Sequence, residues 1–381
     1  MIHKQPVYAN YAATTPALTE AVCKELRAYL METHFNMGRN FEGLESGAIA
    51  LRARRAVAGL FGVSACLRVI FTSGATAALN MAIHGLVRPG VHVLATSIEH
   101  NAVARPLEAL RKAGVIDLGW LPCAPDGSLE PETVRKAIRK NTGLLVMTHA
   151  SNVLGTILPA TDCFKIAREY GVFTILDMAQ TGGSLPYTID DCCDIAVFAG
   201  HKGLGGLAGT GGFVLGERAV AEMRPWMAGG TGSASHSLDM PDFLPDKFEP
   251  GTQNTFGILS LAASIEEIIR EGCETIREHE RALTARFLAG LRGIKKAKPY
   301  GPLDAERSVA VVPVVICGHD AGDVARRLFE KHGIITRSGL HCSPLAHKTA
   351  GTFPEGAVRF SFGRGSTEAE IDTILEALDM L

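Results

Sequence analysis

The stretch DIAVFAGHKGLGG (194–206) decides the fold, because in it an apolar run ends in charged residues and then in glycines. A short apolar run without alternation is typical of a strand buried on both faces of a sheet. His201 and Lys202 follow this run directly. Two interpretations of the lysine stay open at this point: a solvated turn with one surface lysine, and a lysine that reacts with or binds a ligand.

Further apolar runs extend this pattern along the chain, and helix-like segments separate most of them. The runs are 68–71, 91–95, 143–147, 172–176 and 212–216, and the helix-like segments are Ala75–Leu86, Asn101–Lys112, Pro131–Arg139 and Ala160–Tyr170. Buried runs that alternate with helices predict a protein of the α/β class, with a mostly parallel sheet covered by helices on both faces.

The C-terminal part of the chain predicts a second, smaller domain. The elements expected there are a loop over 217–255, two long helices over 257–271 and 275–292, and strands and helices over 308–381. An N-terminal helix over 17–30 is expected to pack with the part 308–381. Because 381 residues exceed what one simple core holds, we expect two domains. The large domain would span 15–255, and the small α+β domain would combine 1–14 with 256–381.

Composition narrows the classes of protein that fit. Lys plus Arg (38) nearly balance Asp plus Glu (40), for a net charge of -2, and this argues against binding to nucleic acid or a membrane surface. The N-terminal sequence MIHKQPVYAN lacks the apolar core of a signal peptide, so we expect a cytoplasmic protein. Nine cysteines without CxxC pairs argue against a disulfide framework and predict reduced thiols.

Polar residues follow five of the apolar runs. They lie in TSGAT (72–76), TSIEHN (96–101), THASN (148–152), DMAQ (177–180) and AGHK (199–202). Open α/β sheets bind ligands at the carboxyl ends of their strands, so these segments are expected to meet at one edge. The side chains collected there are Thr76, His100, Asn152, Asp177, Gln180, His201 and Lys202. Each of these residues alone also fits a helix cap, a turn or a half-buried polar residue.

The chemistry of this set points to one cofactor. Gly74, Ala75 and Thr76 open a helix whose free N–H groups and hydroxyl suit a phosphate. Asp177, at the end of a buried strand, suits a ring nitrogen that must stay protonated, and Lys202 suits an aldehyde. Phosphate, protonated ring and aldehyde together describe pyridoxal 5′-phosphate (PLP).

The glycines after Lys202 have a rival interpretation. GLGGLA (203–208) fits the dinucleotide-binding pattern G-x-G-x-x-A, and the acidic Glu222 follows about 20 residues later. That pattern requires a helix directly after the loop, whereas TGGFVLG (210–216) predicts a strand. The glycines are therefore expected to let the backbone pass close to the cofactor.

A series of motifs in register resembles the class V aminotransferases, specifically the cysteine desulfurase and selenocysteine lyase group, in a less-characterised branch. The motifs are VYANYAATTP (7–16), VIFTSGATAALNMAI (69–83), SIEHNAV (97–103), ASNVLG (150–155), DMAQ (177–180), GHKG (200–203), GGTGS (229–233), EPGTQN (249–254), RSGLHCSPLAH (337–347) and VRFSFG (358–363). The resemblance covers nearly the whole chain. It implies the type I fold of PLP-dependent transferases, with a mostly parallel seven-stranded sheet, in a homodimer whose active sites lie at the subunit interface.

The resemblance also implies a role for each residue of the site. Those implied at the cofactor are His100 stacked on the ring, Asp177 at the ring nitrogen, Gln180 at the ring oxygen, Lys202 bound covalently through the aldehyde, Thr76 and His201 at the phosphate, and Thr252 reaching the phosphate from the partner subunit. Asn152 and Arg359 are implied to bind the substrate carboxylate. Arg359 lies within the apolar run AVRFSFG (357–363), which favours a buried anion partner.

Cys342 is the nucleophile that the resemblance implies, taking sulfur from L-cysteine as a persulfide and leaving L-alanine. Together with Lys202 and His100 it forms the expected catalytic set. His341, next to it, is expected to help form the thiolate. A buried structural thiol is the alternative for Cys342. A metal site built from His341, Cys342 and His347 lacks a fourth ligand, so no metal is expected.

Four residues depart from the family pattern, and they bear on substrate more than on cofactor. Ala199 stands where a Ser or Thr usually contacts the phosphate, and Asn10 stands where Asp is usual. Met37 replaces a common Pro, and Glu42 replaces a common His. A cysteine desulfurase that passes sulfur to a small acceptor protein is the function expected. Selenocysteine lyase, another PLP lyase or transaminase, and a non-catalytic cofactor-binding module remain the alternatives.

Overall fold

A seven-stranded sheet forms the centre of the computed structural model, which describes residues 6–31, 44–189 and 192–381. Its strands are β2 (Val69–Thr72), β3 (Val91–Thr96), β4 (Ile116–Leu121), β5 (Thr142–Thr148), β6 (Phe173–Asp177), β7 (Ile195–Ala199) and β8 (Gly211–Leu215), in the spatial order β2-β8-β7-β6-β5-β3-β4. Strands β4, β3, β5, β6 and β7 pair in parallel, and β8 is antiparallel to both β7 and β2. The expected mostly parallel sheet is confirmed.

Alternate residues of these strands enter two separate apolar cores, as the two-residue period of a strand requires. In β7, Ile195 and Val197 pack on one face, whereas Ala196 and Phe198 pack on the other. The helices that cover the faces are α2 (Leu44–Leu60), α3 (Ala75–Leu86), α4 (Asn101–Lys112), α5 (Pro131–Ala137), α6 (Ala160–Glu169), α7 (Glu217–Glu222) and α8 (Thr255–Glu271). Burial on both faces explains why the strands are apolar throughout.

A smaller layer is built mainly from the C-terminal part of the described chain. Its four-stranded sheet has the order β12 (Arg337–Gly339), β13 (Ala357–Ser361), β10 (Val311–Ile316), β9 (Ala297–Pro299), and β1 (Val7–Tyr8) pairs with β11 (Ile334–Ile335). The helices are α9 (Cys273–Leu291), α10 (Ala321–His332), α11 (Pro344–Ala350) and α12 (Glu368–Asp379). The core of this layer includes Phe287 of α9 and Phe360 of β13, whose rings are 5.1 Å apart.

Several expected elements have the expected bounds, and others differ. Helix α7 lies at the start of the segment 217–255, which was expected to be a loop. Helices α3 and α4 begin and end where the sequence predicts them. Strand β4 has no counterpart among the apolar runs, because this edge strand is only partly buried. The N-terminal helix α1 (Glu20–Met31) packs against α8, whose buried side chains belong to the core of the large sheet. The sequence had predicted that α1 packs with the C-terminal layer, and this prediction is wrong. The domain boundary at residue 255 stays a prediction.

A buried ion pair fixes the segment that leads into α8. Arg54 Nη2 in α2 lies 2.5 Å from Glu249 Oε2, and both side chains are about nine-tenths buried or more. The second oxygen of Glu249 accepts a hydrogen bond of 2.7 Å from the N–H of Phe71 in β2. The carboxylate therefore binds both the helix and the sheet.

Two sequence-based expectations bear on the class of protein. No helix in the described ranges is long and apolar enough to cross a membrane. All nine cysteines lie in these ranges and are free thiols.

Candidate active site

The strand ends meet at one edge of the large sheet, as parallel strands require. A cavity of about 350 Å³ lies there. Among its lining residues are ten predicted for the site: Gly74, Ala75, Thr76, His100, Asn152, Asp177, Gln180, His201, Lys202 and Arg359. The small layer contributes Arg359 from β13, so the cavity lies between the two layers.

Asp177 and Lys202 are the central charged pair of this cavity. Asp177 ends β6, is buried, and accepts a 3.0 Å hydrogen bond at Oδ1 from the N–H of Ala179. Burial raises the pKa of Asp177, and the nearby charge of Lys202 opposes that shift. Burial lowers the pKa of Lys202 to about 8, against the opposing effect of Asp177. The lysine amine therefore exchanges a proton near neutral pH.

His100 is neutral and its tautomer follows from its position. The residue is the N-cap of α4, and its Nδ1 accepts a 3.0 Å hydrogen bond from the N–H of Ala102. Burial, followed by the charge of Lys202, lowers the pKa of His100 to about 4. A neutral imidazole that accepts at Nδ1 carries its proton at Nε2, leaving that N–H free for a ligand.

The beginning of α3 provides free backbone donors. Gly74 is the N-cap of this helix, and no side chain caps it. The first N–H groups of a helix then remain available to an anion. Thr76 and His201 also line this part of the cavity, and the His201 ring lies 3.1 Å from Thr14 Oγ1. The donors present suit a phosphate or a similar anion.

Gln180 and Asn152 are already engaged by the protein. Gln180 Nε2 donates to the carbonyl of Ala12 at 3.1 Å, which leaves its oxygen free. Asn152 Nδ2 donates to the carbonyl of His341 at 2.8 Å, and its Oδ1 accepts from Ser343 Oγ at 2.7 Å. Asn152 therefore contacts the segment that carries Cys342, a connection that the sequence did not reveal.

Arg359 is a buried cation that faces only neutral acceptors. Its side chain is 1% exposed and donates to the carbonyl of Asn152 at 3.0 Å and to Asn10 Oδ1 at 3.1 Å. Its Nε has no hydrogen-bond partner, and among the described residues no carboxylate pairs with it. Burial lowers the pKa of Arg359 to about 10. A buried guanidinium with a free donor suits a carboxylate ligand.

Arg337 also lines the cavity, although sequence analysis assigned it no role. It lies directly opposite Arg359 in the antiparallel pairing of β12 with β13. Like charges in directly opposed positions destabilise a sheet, so the pair concentrates positive charge at a cost. The signal that was overlooked is a basic residue at the start of RSGLHC (337–342), five residues before the cysteine.

Cys342 is exposed, and its sequence neighbour His341 and its contact Arg337 both line this cavity. Arg337 Nη2 donates to its Sγ at 3.3 Å, and the carbonyl of Cys342 accepts from the N–H of Asn101 at 2.8 Å. The alternative of a buried structural thiol is therefore wrong. The ring nitrogens of His341 do not hydrogen-bond to the thiol, contrary to expectation, because they are engaged by His347 at 3.2 Å and by the carbonyl of Arg337 at 3.0 Å.

Other expectations concern residues outside the cavity. Thr252 is exposed and lines a neighbouring hollow, so its predicted contact through a partner subunit stays a prediction. The loop after Lys202 leads into β8 and not into a helix, which removes the dinucleotide interpretation. Two of its glycines serve packing, because a Cβ would lie 2.5 Å from Gly182 O at Gly203 and 2.5 Å from Ser264 Oγ at Gly205. Within the described ranges, no cluster of three or more His, Cys, Asp or Glu could hold a metal ion.

Comparison with known families confirms the family that the sequence motifs resemble. The sequence model described as aminotransferase class-V matches residues 7–374. The chain belongs to the class-V aminotransferase family. A protein of Methanothermobacter thermautotrophicus named "Probable cysteine desulfurase" is 33% identical over 386 residues, which cover 98% of this chain and 94% of that protein. A cysteine desulfurase of Escherichia coli O157:H7 is 32% identical over 322 residues, covering 82% and 77%.

A solved structure of this family shares the fold. The apo cysteine desulfurase of Thermococcus onnurineus NA1 superposes with a TM-score of 0.90 at 27% identity, covering 98% of this chain and 94% of that one. The expected type I fold of PLP-dependent transferases is confirmed.

Two departures from the family pattern now have a location. Asn10 accepts a hydrogen bond from Arg359, so the amide replaces the carboxylate that would neutralise this guanidinium. Ala199 lines the cavity at the end of β7 and supplies no hydroxyl there. Met37 and Glu42 lie outside the described residues.

Proposed function

We propose that this chain is a PLP-dependent cysteine desulfurase, which removes sulfur from L-cysteine to give L-alanine and a persulfide on Cys342. The observation that carries the proposal is a single cavity at which a lysine amine, a buried carboxylate and an unneutralised guanidinium converge, with an exposed thiol in contact with Arg337 of its lining. The relatives named above are called cysteine desulfurases. L-Cysteine as substrate follows from this likeness and from the charge of the cavity.

The residues present fit PLP. Lys202, with its pKa lowered to about 8, has the partly neutral amine that an aldehyde requires. Asp177 offers a buried carboxylate for a protonated ring nitrogen, and the uncapped start of α3 offers donors for a phosphate. When bound, PLP supplies an electron sink for carbanion chemistry. Gln180 Oε1 and His100 Nε2–H remain free to contact the ring.

Substrate binding is assigned to Arg359. Its unpaired Nε and its lack of a carboxylate partner in the described ranges favour a two-point contact with the substrate carboxylate. The same contact would orient the substrate sulfur towards Cys342. Lys202 is assigned the proton transfers at the substrate carbon atoms, because an amine with a pKa of about 8 both accepts and donates near neutral pH.

The sulfur transfer balances without any further oxidant. Cys342 Sγ attacks the substrate sulfur, a sulfur–sulfur bond forms, and the carbon–sulfur bond breaks. The electron pair of the broken bond stays with the β-carbon, which takes up a proton. Arg337, 3.3 Å from Sγ, supplies a positive charge beside the attacking sulfur. The exposed thiol can then pass its extra sulfur to a small acceptor protein.

The assembly and location of the enzyme belong to the same proposal. We propose a homodimer, because Thr252 is exposed and lines a hollow that shares Ser73, Ala77 and Gly209 with the active-site cavity. A partner subunit could reach the phosphate region across this surface. A cytoplasmic location is proposed from the sequence alone.

The deciding experiment measures intact mass and visible absorbance of protein loaded with PLP, before and after addition of L-cysteine. Wild type should gain one sulfur atom on Cys342 and release alanine. Lys202→Ala should lose the absorbance of the covalently bound cofactor, and Cys342→Ala should keep that absorbance but form no persulfide. Absence of both alanine and persulfide with wild type would overturn the proposal.

The same experiment separates the alternatives. Turnover that survives Cys342→Ala indicates a PLP lyase or transaminase that needs no thiol. Faster turnover of L-selenocysteine than of L-cysteine indicates a selenocysteine lyase. A cofactor absorbance that no amino acid changes indicates a binding module without catalysis.

A further inference from the structure

Cys342 lies in a backbone conformation that needs external support. His341 and Cys342 have φ angles of 50° and 59°, so two consecutive residues with side chains are left-handed. This region is unfavourable for residues other than glycine and persists only where the surroundings enforce it. The contacts that enforce it therefore determine where the thiol lies.

One group of contacts holds the carbonyl groups of this turn. Asn152 Nδ2 donates to the carbonyl of His341 at 2.8 Å, and Ser343 Oγ returns a hydrogen bond to Asn152 Oδ1 at 2.7 Å. The N–H of Asn101, at the start of α4, donates to the carbonyl of Cys342 at 2.8 Å. These contacts fasten the turn to the large sheet.

A second group forms a chain of hydrogen bonds behind the turn. His341 Nε2 lies 3.0 Å from the carbonyl of Arg337, and its Nδ1 lies 3.2 Å from His347 Nε2. His347 Nδ1 lies 2.7 Å from Thr352 Oγ1. The side chains of His341, His347 and Thr352 are 2%, 0% and 8% exposed, so water does not compete for these bonds.

The direction of this chain is fixed at one end. The carbonyl of Arg337 can only accept, so His341 donates from Nε2. Burial lowers the pKa values of His341 and His347 to about 3 and about 4, and both rings are neutral at pH 7. His341 then accepts at Nδ1 from His347 Nε2–H, and His347 accepts at Nδ1 from the Thr352 hydroxyl. Loss of that hydroxyl leaves Nδ1 of His347 without the donor that the required tautomer needs.

We propose that Thr352 and His347 are positioning residues that act through His341 to hold the Cys342 thiol beside Arg337 for sulfur transfer. This chain of hydrogen bonds spans α11. A hydroxyl just after the C-terminal end of that helix therefore sets the geometry of a thiol just before its N-terminal end. The inference rests on the proposed function, since the placement of the thiol matters for catalysis only if Cys342 takes up sulfur.

Three substitutions test this directly. Thr352→Val removes the hydroxyl at nearly constant volume, and Thr352→Ser keeps it. Thr349→Val is the matched control. Thr349 lies in α11, but its Oγ1 donates to the carbonyl of Ser97 at 2.9 Å and takes no part in the chain of hydrogen bonds. His347→Gln, which retains a donor towards His341 but not the link to Thr352, gives an independent variant if Thr352→Val folds poorly.

The measurements are the steady-state rate of persulfide formation and the rate at which iodoacetamide alkylates Cys342 in cofactor-free protein, read by peptide mass. For Thr352→Val we expect kcat about tenfold lower with KM within about twofold, since small misplacements of a reacting group cost up to about 100-fold. Cys342 alkylation should change as well, with Thr352→Ser and Thr349→Val close to wild type. A general loss of structure would instead alter KM and the cofactor absorbance.

The outcomes separate this inference from the proposed function. If wild type forms persulfide and Thr352→Val and His347→Gln match it in kcat and alkylation, the positioning role is wrong. Equal losses in Thr352→Val and Thr349→Val would also overturn it. If wild type forms no persulfide, the proposed function fails. The alkylation rates still decide whether the chain of hydrogen bonds positions the Cys342 thiol.

Discussion

Two arginines of similar burial have opposite electrostatic environments. Arg54 is 5% exposed and lies 2.5 Å from the carboxylate of Glu249. Arg359 is 1% exposed, but its side-chain partner is the neutral amide of Asn10. Removing a charge from water is costly, and a carboxylate partner recovers much of that cost. The comparison teaches that Arg54 is neutralised for structure, whereas Arg359 stays uncompensated for a ligand that brings its own negative charge.

The largest effect is expected when Arg54 is made to resemble Arg359. Glu249→Gln leaves Arg54 facing a neutral amide, and the free energy of unfolding should fall by about 3 kcal/mol, since a buried charge loses its partner. Urea denaturation at pH 7 measures this. The control is Glu266→Gln, which removes a partly exposed partner of Arg52 and should cost about 1 kcal/mol or less. Equal effects of the two changes would contradict the distinction.

Removal of the uncompensated charge of Arg359 should affect catalysis more than folding. Arg359→Met is expected to lower kcat/KM for L-cysteine about 100-fold, equal to about 2.7 kcal/mol, because the carboxylate loses its charged contact. Its stability should stay close to that of wild type, since the two hydrogen bonds to neutral acceptors are lost together with an uncompensated buried charge. Alanine release and urea denaturation check both statements. A variant that unfolds but retains kcat/KM would reverse the roles of the two arginines.

Giving Arg359 a carboxylate partner, as Arg54 has, should produce a smaller effect. Asn10→Asp places a carboxylate where Asn10 Oδ1 now accepts from Arg359, and it should raise KM for L-cysteine about tenfold, since the substrate must compete with an internal anion. Asn10→Gln, which stays neutral, is the control. Steady-state kinetics at pH 7.5 give the answer. A KM that is unchanged in Asn10→Asp would mean that the neutral amide does not tune this site.

The smallest effect concerns pH. The amine of Lys202 reacts with an aldehyde when neutral, so PLP uptake by the cofactor-free protein should rise as pH rises towards the pKa of about 8 and level off above it. Because Arg359 contributes to lowering this pKa, Arg359→Met should move the profile to higher pH by about one unit or less. Absorbance stopped-flow between pH 6 and about pH 9.5 measures it. Glu249→Gln should leave the profile in place.

Much of the large domain was predictable because its signals are local. The bounds of α3 and α4 follow from periodic apolar residues between strand ends, and the strand after Lys202 follows from TGGFVLG (210–216). Strand β4 escaped prediction because an edge strand is only half covered and has no continuous apolar run. The packing of α1 on α8 was not predictable, since an amphipathic helix does not encode which partner it covers.

The candidate site divides in the same way. The residues at strand ends were predictable, because chain order and sheet geometry bring them to one edge. Contacts that depend on side-chain directions were not predictable. They are Arg337 beside Cys342, the engagement of His341 by His347, and the connection of Asn152 to the cysteine turn. Such directions are set by packing of the two layers.

By itself, the sequence determined the α/β class, the family and the identity of the groups at the strand ends, because apolar periodicity and motif order are properties of local sequence. Only the tertiary structure decided which of these groups keep an uncompensated charge or an unused hydrogen-bond donor. Arg359 stays uncompensated and Cys342 adopts its left-handed turn because residues hundreds of positions apart surround them. Electrostatic compensation and hydrogen bonding depend on distance in space, which the order of residues along the chain does not contain.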